Sequence, residues 1–202
     1  MFQKRRTPAP SYLAFVSVAL LTLGVLGVVL TACGSPPAAK TASASTSKPE
    51  RHVQANLNII VNQPGYQQDW PAYAPNTLAV PANSLVTITL HDYDLGLDSP
   101  MPKGTPFATV QGTIGGVAYL NGKPYAALAP EKIAHTFTIP QLHINVPLPG
   151  FGKESDTISF TFRIGKAGTY IFQCLDPCGT GSNGFEGPMA TKGYMMGTLT
   201  VQ

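Results

Sequence analysis

Two thiols separated by three residues, Cys174 and Cys178 in QCLDPCG, are the most reactive grouping in the sequence. Such a pair closes as a disulfide, holds a metal or cycles as a redox couple, and the residues that join it decide which. His135 opens the stretch HTFTI, in which His135, Phe137 and Ile139 fall on one side of a strand and Thr136 and Thr138 on the other. Tyr170, Phe172 and Cys174 share a face in the same way, and Met195 alternates with Gly197, Leu199 and Val201. An imidazole, a thiolate and a thioether are thus each expected at the end of an inward-facing stripe. If they converge, such soft donors select copper over calcium or magnesium.

Other donors are weaker candidates. His91 follows Val86–Leu90 on the side opposite its apolar stripe and reads as an exposed edge histidine. His143 reads as a loop residue and His52 lies beside a linker, while Glu186, Met189 and Met196 reach a metal only if the C-terminal loop folds back. The cysteines have no base and orienting group nearby in sequence, and there is no Gly-x-Ser-x-Gly elbow, so a hydrolase is disfavoured. The glycines of QGTIGG (Gln111–Gly116) are not followed by Gly-Lys-Ser/Thr and read as a flexible turn. The chain reads as a binding or electron-transfer module, not as an enzyme on its own.

The elements that must position these residues are strands. Ser84–Leu90 (SLVTITL) and Asp156–Ile164 (DTISFTFRI) alternate apolar and polar residues, as half-buried strands do. The 20 glycines and 19 prolines punctuate the chain, with turn pairs at Pro64-Gly65, Asn121-Gly122 and Pro149-Gly150. The expected fold is all-β, a β-sandwich or Greek-key barrel over residues 52–202, with an inserted hairpin at about 107–127 whose tip is Asn121-Gly122.

Charge removes one class of function. The formal net charge is +3, but Lys4, Arg5 and Arg6 supply that excess, leaving no basic patch for nucleic acid. These three residues precede an uncharged apolar run, Tyr12–Ala32, and then Leu30-Thr31-Ala32-Cys33. The arrangement resembles a bacterial lipoprotein signal, which implies lipidation of Cys33; the alternative is an uncleaved N-terminal membrane helix. Residues 1–33 are read as this signal or anchor, and residues 34–51, rich in Ser, Thr, Pro and Ala, as a flexible tether. Either reading places the domain on the extracytoplasmic face of a bacterial membrane.

Several ordered motifs carry a further resemblance. AHTFTIPQL (Ala134–Leu142), VPLPG (Val146–Gly150), GKAGTYIFQC (Gly165–Cys174), CLDPCG (Cys174–Gly179) and MMGTLTV (Met195–Val201) follow one another in sequence. Together they resemble the copper-binding (CuA-type) domain of cytochrome c oxidase subunit II, within the cupredoxin family. PNTLAVPANSLVTITLHDYD (Pro75–Asp94) resembles the first cupredoxin strands. The resemblance implies a cupredoxin-like sandwich and a copper centre for electron transfer. Its ligands would be His135, Cys174, Cys178 and Met195, with the backbone carbonyl of Asp176, which stands where the family has Glu. The family's second histidine falls at Ser182 in this sequence. The implied partners are the membrane and a redox protein such as a cytochrome or oxidase. Two alternatives stay open: a metal-free binding or structural lipoprotein with a Cys174–Cys178 disulfide, and a copper storage or delivery protein.

Overall fold

The computed structural model describes residues 50–94, 101–150, 156–179 and 187–202. The signal or anchor, Cys33 and nearly all of the tether lie outside the described residues, as do Ser182 and Glu186. Among the described residues, no helix is long and apolar enough to cross a membrane.

Among the described residues, eleven strands form in chain order. They are β1 (Arg51–Ile60), β2 (Ala72–Ala74), β3 (Thr77–Val80), β4 (Ser84–Asp92), β5 (Ala118–Leu120) and β6 (Lys123–Tyr125). After them come β7 (Ile133–Ile139), β8 (Ile144–Pro149), β9 (Asp156–Ile164), β10 (Gly168–Gln173) and β11 (Met196–Val201). One sheet runs β2-β1-β4-β9-β5-β6 and the other β3-β11-β10-β7-β8. The pairs β1–β4 and β3–β11 are parallel, whereas β4–β9, β10–β11 and β7–β8 are antiparallel. This is the all-β sandwich of two sheets expected from the strand pattern.

Period-two alternation builds the core. Val86, Ile88 and Leu90 of β4 stand opposite Phe162, Phe160 and Ile158 of β9, and all six are buried. From the other sheet, Phe137 and Phe172 stack with centroids 5.3 Å apart, and Tyr73 meets Phe172 edge-on. Tyr73 also donates its hydroxyl hydrogen bond to the carbonyl of Thr136, inside the core. Burial at this scale, at roughly 25 cal/mol per Å² of apolar surface, is the main force holding the sheets together.

Two strands depart from the expected half-buried pattern. Every residue of β7 and β8 is buried, Thr136 and Thr138 included. Their second face is covered by chain that comes from elsewhere. The backbones of Gln111 and Asn145 exchange hydrogen bonds, and Leu175 N–H donates to Thr136 Oγ1 at 2.8 Å. β5 and β6 pair across Asn121-Gly122, both with positive φ, as a tight two-residue hairpin turn requires. His91 also differs from its reading: β4 lies inside its sheet, and the half-buried imidazole meets Thr157 Oγ1 at 3.1 Å.

Asn145 ties the inserted segment to this face. Its Oδ1 accepts from Thr138 Oγ1 at 2.7 Å, and its Nδ2 donates to the carbonyls of Phe107 and Thr109 at 2.9 and 2.8 Å. Asn145→Ala removes all three bonds, though Thr138 Oγ1 keeps its bond to Thr136 Oγ1 and Thr109 is exposed, so the expected cost is about 1–3 kcal/mol. Urea unfolding checks it: the midpoint falls while the slope with denaturant stays unchanged.

Candidate metal centre

Strand ends bring the chemistry together. β10 stops at Gln173, so Cys174 is the first residue past it, and its N–H donates to the carbonyl of Met195 at 2.9 Å. This bond extends the β10–β11 ladder and sets Met195, which is fully buried, beside Cys174 in the backbone pairing. His135 follows a register shift in β7 between Ile133 and His135, where Ala134 is the extra residue. Bulges of this kind sharpen local twist and re-aim the next side chain. Gly179 fixes the far side of the cysteine loop. Its φ is +78°, and a Cβ there would lie 2.5 Å from Pro188 Cγ, so only glycine fits.

One imidazole nitrogen of His135 and the sulfurs of Cys174 and Cys178 all lie within 4.8 Å of one another, and all three residues are buried. No disulfide joins Cys174 and Cys178, and their sulfurs lie 3.6 Å apart. The carbonyl oxygen of Asp176 is 3.4 Å from Cys174 Sγ. The N–H groups of Thr136 and Asp176 each donate to the same sulfur at 3.4 Å.

These contacts decide the charge state. Burial pushes the Cys174 thiol up, but the Cys178 thiol, His135 and the Thr136 N–H outweigh it and hold Cys174 well below the usual thiol range. Burial drives His135 down, yet Asp94 and Cys174, with Asp92 behind them, hold it well above the usual imidazole range. The metal-free site therefore favours a thiolate beside an imidazolium, and a metal ion would replace the proton between them.

The donor set fits a thiophilic metal. Metal–sulfur bonds of about 2.3 Å in a tetrahedral arrangement place two sulfurs about 3.8 Å apart, near the 3.6 Å spacing seen here. Of the expected ligands, His135, Cys174 and Cys178 converge, Asp176 brings its carbonyl to Cys174, and Met195 adjoins through the backbone. Of the weaker candidates, His52 on β1 bonds Thr87 Oγ1 of β4, His143 is exposed in a left-handed turn before β8, Met189 is buried in the same core cluster as Cys174, Cys178 and Met195, and Met196 is half-buried opposite Gln173.

The sequence reading missed two acidic residues. Asp92 ends β4 fully buried, and Asp94 Oδ2 lies 3.3 Å from His135 Nε2. The signal was present in HDYD, where the alternation of β4 runs on past the strand. Asp92 and Asp94 are buried, whereas Tyr93 between them is 53% exposed.

No protein-family model and no curated protein sequence matches the chain significantly. Similar solved structures include rusticyanin from Thiobacillus ferrooxidans, at 16% identity over 74% of this chain and 77% of that one, with a TM-score of 0.35. Rusticyanin is a copper protein. Another is auracyanin B, at 16% identity over 74% of this chain and 88% of that one, with a TM-score of 0.30.

Proposed function

We propose that this chain is a membrane-tethered, extracytoplasmic copper protein that carries electrons, similar to the copper domain of cytochrome c oxidase subunit II. The observation that carries the reading is the convergence of one imidazole and two thiols in a buried space at one end of the sandwich. Imidazole and thiolate select copper, zinc or iron–sulfur clusters over hard cations, and a neighbouring thioether and carbonyl weight the choice toward copper. His135, Cys174 and Cys178 would hold the ion, with the Asp176 carbonyl and Met195 completing its surroundings. Bound copper would supply a one-electron couple.

The protein's own contribution is rigidity and exclusion of water. The N–H groups aimed at Cys174 Sγ stabilise negative charge on the sulfur in either redox state. The buried core beneath, where Phe137 stacks on Phe172, would hold the ligands in place as charge changes. Electrons would pass to or from a redox protein such as a cytochrome or oxidase at the same membrane surface.

The full chain, held in detergent, reduced and titrated with copper, is expected to develop thiolate-to-copper absorption bands at a fixed metal stoichiometry. Cys174→Ser is expected to lose them. A wild-type protein that stays colourless and forms a Cys174–Cys178 disulfide on oxidation, seen by non-reducing peptide mass analysis, would overturn the reading in favour of the metal-free one.

A further inference from the structure

We infer that Asp94 is a positioning residue for the metal centre: its carboxylate holds His135 through Nε2 and so presents Nδ1 to the metal. The inference rests on the copper reading for its consequence, but on geometry alone for the contact. His135 is 1% exposed, and its Nε2 lies 3.3 Å from Asp94 Oδ2. Neither ring nitrogen makes a well-aligned hydrogen bond among the described residues, and the 3.3 Å contact to Asp94 is an ion-pair contact at Nε2, while one ring nitrogen lies within 4.8 Å of both cysteine sulfurs. An imidazole with one nitrogen committed to a carboxylate has a single nitrogen left to coordinate with. Such outer partners fix the ring's orientation and raise the basicity of the coordinating nitrogen.

The placement of Asp94 is itself built in. Asp92 Oδ1 accepts the N–H of Asp94 at 2.9 Å, turning the chain at the end of β4. Tyr93 N–H donates to the carbonyl of Ile59 at 3.0 Å, pinning the turn to β1. The alternation then directs Tyr93 outward and Asp94 inward. β4 and β7 belong to different sheets, so the contact spans the sandwich. A carboxylate that merely decorated the rim would gain nothing from that reach.

The test uses the full chain in detergent with Asp94→Asn, Asp94→Ala and Asp94→Glu variants, each checked for folding by thermal melting. In the metal-free protein, nitrogen-15 NMR of the histidine rings is expected to show one slowly exchanging imidazole N–H, absent from His135→Gln and lost in Asp94→Ala. If that signal persists in Asp94→Ala, the positioning role is wrong. With copper, measured by competition against a chelator, Asp94→Asn and Asp94→Ala are expected to lose roughly 10–100-fold in affinity, with Asp94→Glu nearer wild type. Their reduction potential is expected to rise, because loss of a nearby negative charge disfavours the oxidised ion. Unchanged affinity and potential in folded variants would overturn the inference. A wild-type chain that binds no copper would overturn the proposed function instead, and the N–H exchange result would still judge the contact.

Discussion

Gly197→Ala is expected to destabilise the domain by about 3 kcal/mol or more, at the upper end for overpacking one methyl group into a core. Gly197 stands directly opposite Phe172 in the β10–β11 ladder. A Cβ at residue 197 would lie 2.2 Å from Phe172 Cζ, 2.4 Å from Cε2 and 2.6 Å from the carbonyl oxygen of Asn76. The ring cannot swing away, because Phe137 stacks on it and Tyr73 meets its edge. Nor can the backbone retreat, since Thr198 N–H donates to that same Asn76 carbonyl at 2.9 Å. The glycine is there for space, because its φ is not in the left-handed region.

The damage should reach the metal centre, because Phe172 and Gly197 are each two residues from a proposed ligand, Cys174 and Met195. Phe172→Leu in the same chain is expected to recover part of the loss by removing the colliding ring atoms. A urea-unfolding double-mutant cycle measures this. Strictly additive losses would show that the two residues do not compete for one space.

How much of this was legible in the sequence depends on what each residue relies on. The inward placement of His135, Cys174 and Met195 followed from period-two alternation, a local property, and so did the buried stripes of β4 and β9. What local pattern cannot reveal is which chain covers a second face. Thr136 and Thr138 read as solvent-facing, yet the inserted segment and the cysteine loop bury them through Asn145 and Leu175. Asp94 went unnoticed because its partner is far along the chain and on the other sheet. His91 was read as an edge residue because strand order within a sheet is a tertiary fact. The cysteine pair was legible as reactive, but only the fold brings an imidazole to it.

In the metal-free protein, Asp92 is expected to contribute a loss of stability as pH rises from about 4 to about 7, and Asp92→Asn should remove that contribution. Burial pushes the Asp92 carboxyl up from 3.8 to about 7, while His135 and the Asp94 N–H pull it down and Asp94 and Asp156 push it further up. Between those two values the folded protein keeps the proton that the unfolded chain has already lost. The unfolded state then binds fewer protons, so stability declines with rising pH. The contribution is complete below the unfolded value and gone once pH passes the folded one. A shift of about three units sets a ceiling of about 4 kcal/mol. Asparagine keeps the shape and an oxygen to accept the Asp94 N–H, so the difference between variant and wild type isolates the ionisation. Urea unfolding at several pH values across the window reads it, and parallel stability curves would refute it. Asp92 is coupled to the proposed centre through His135, so copper bound there should change the wild-type slope more than that of Asp92→Asn. A structural carboxyl remote from the metal would respond to copper no differently from its amide.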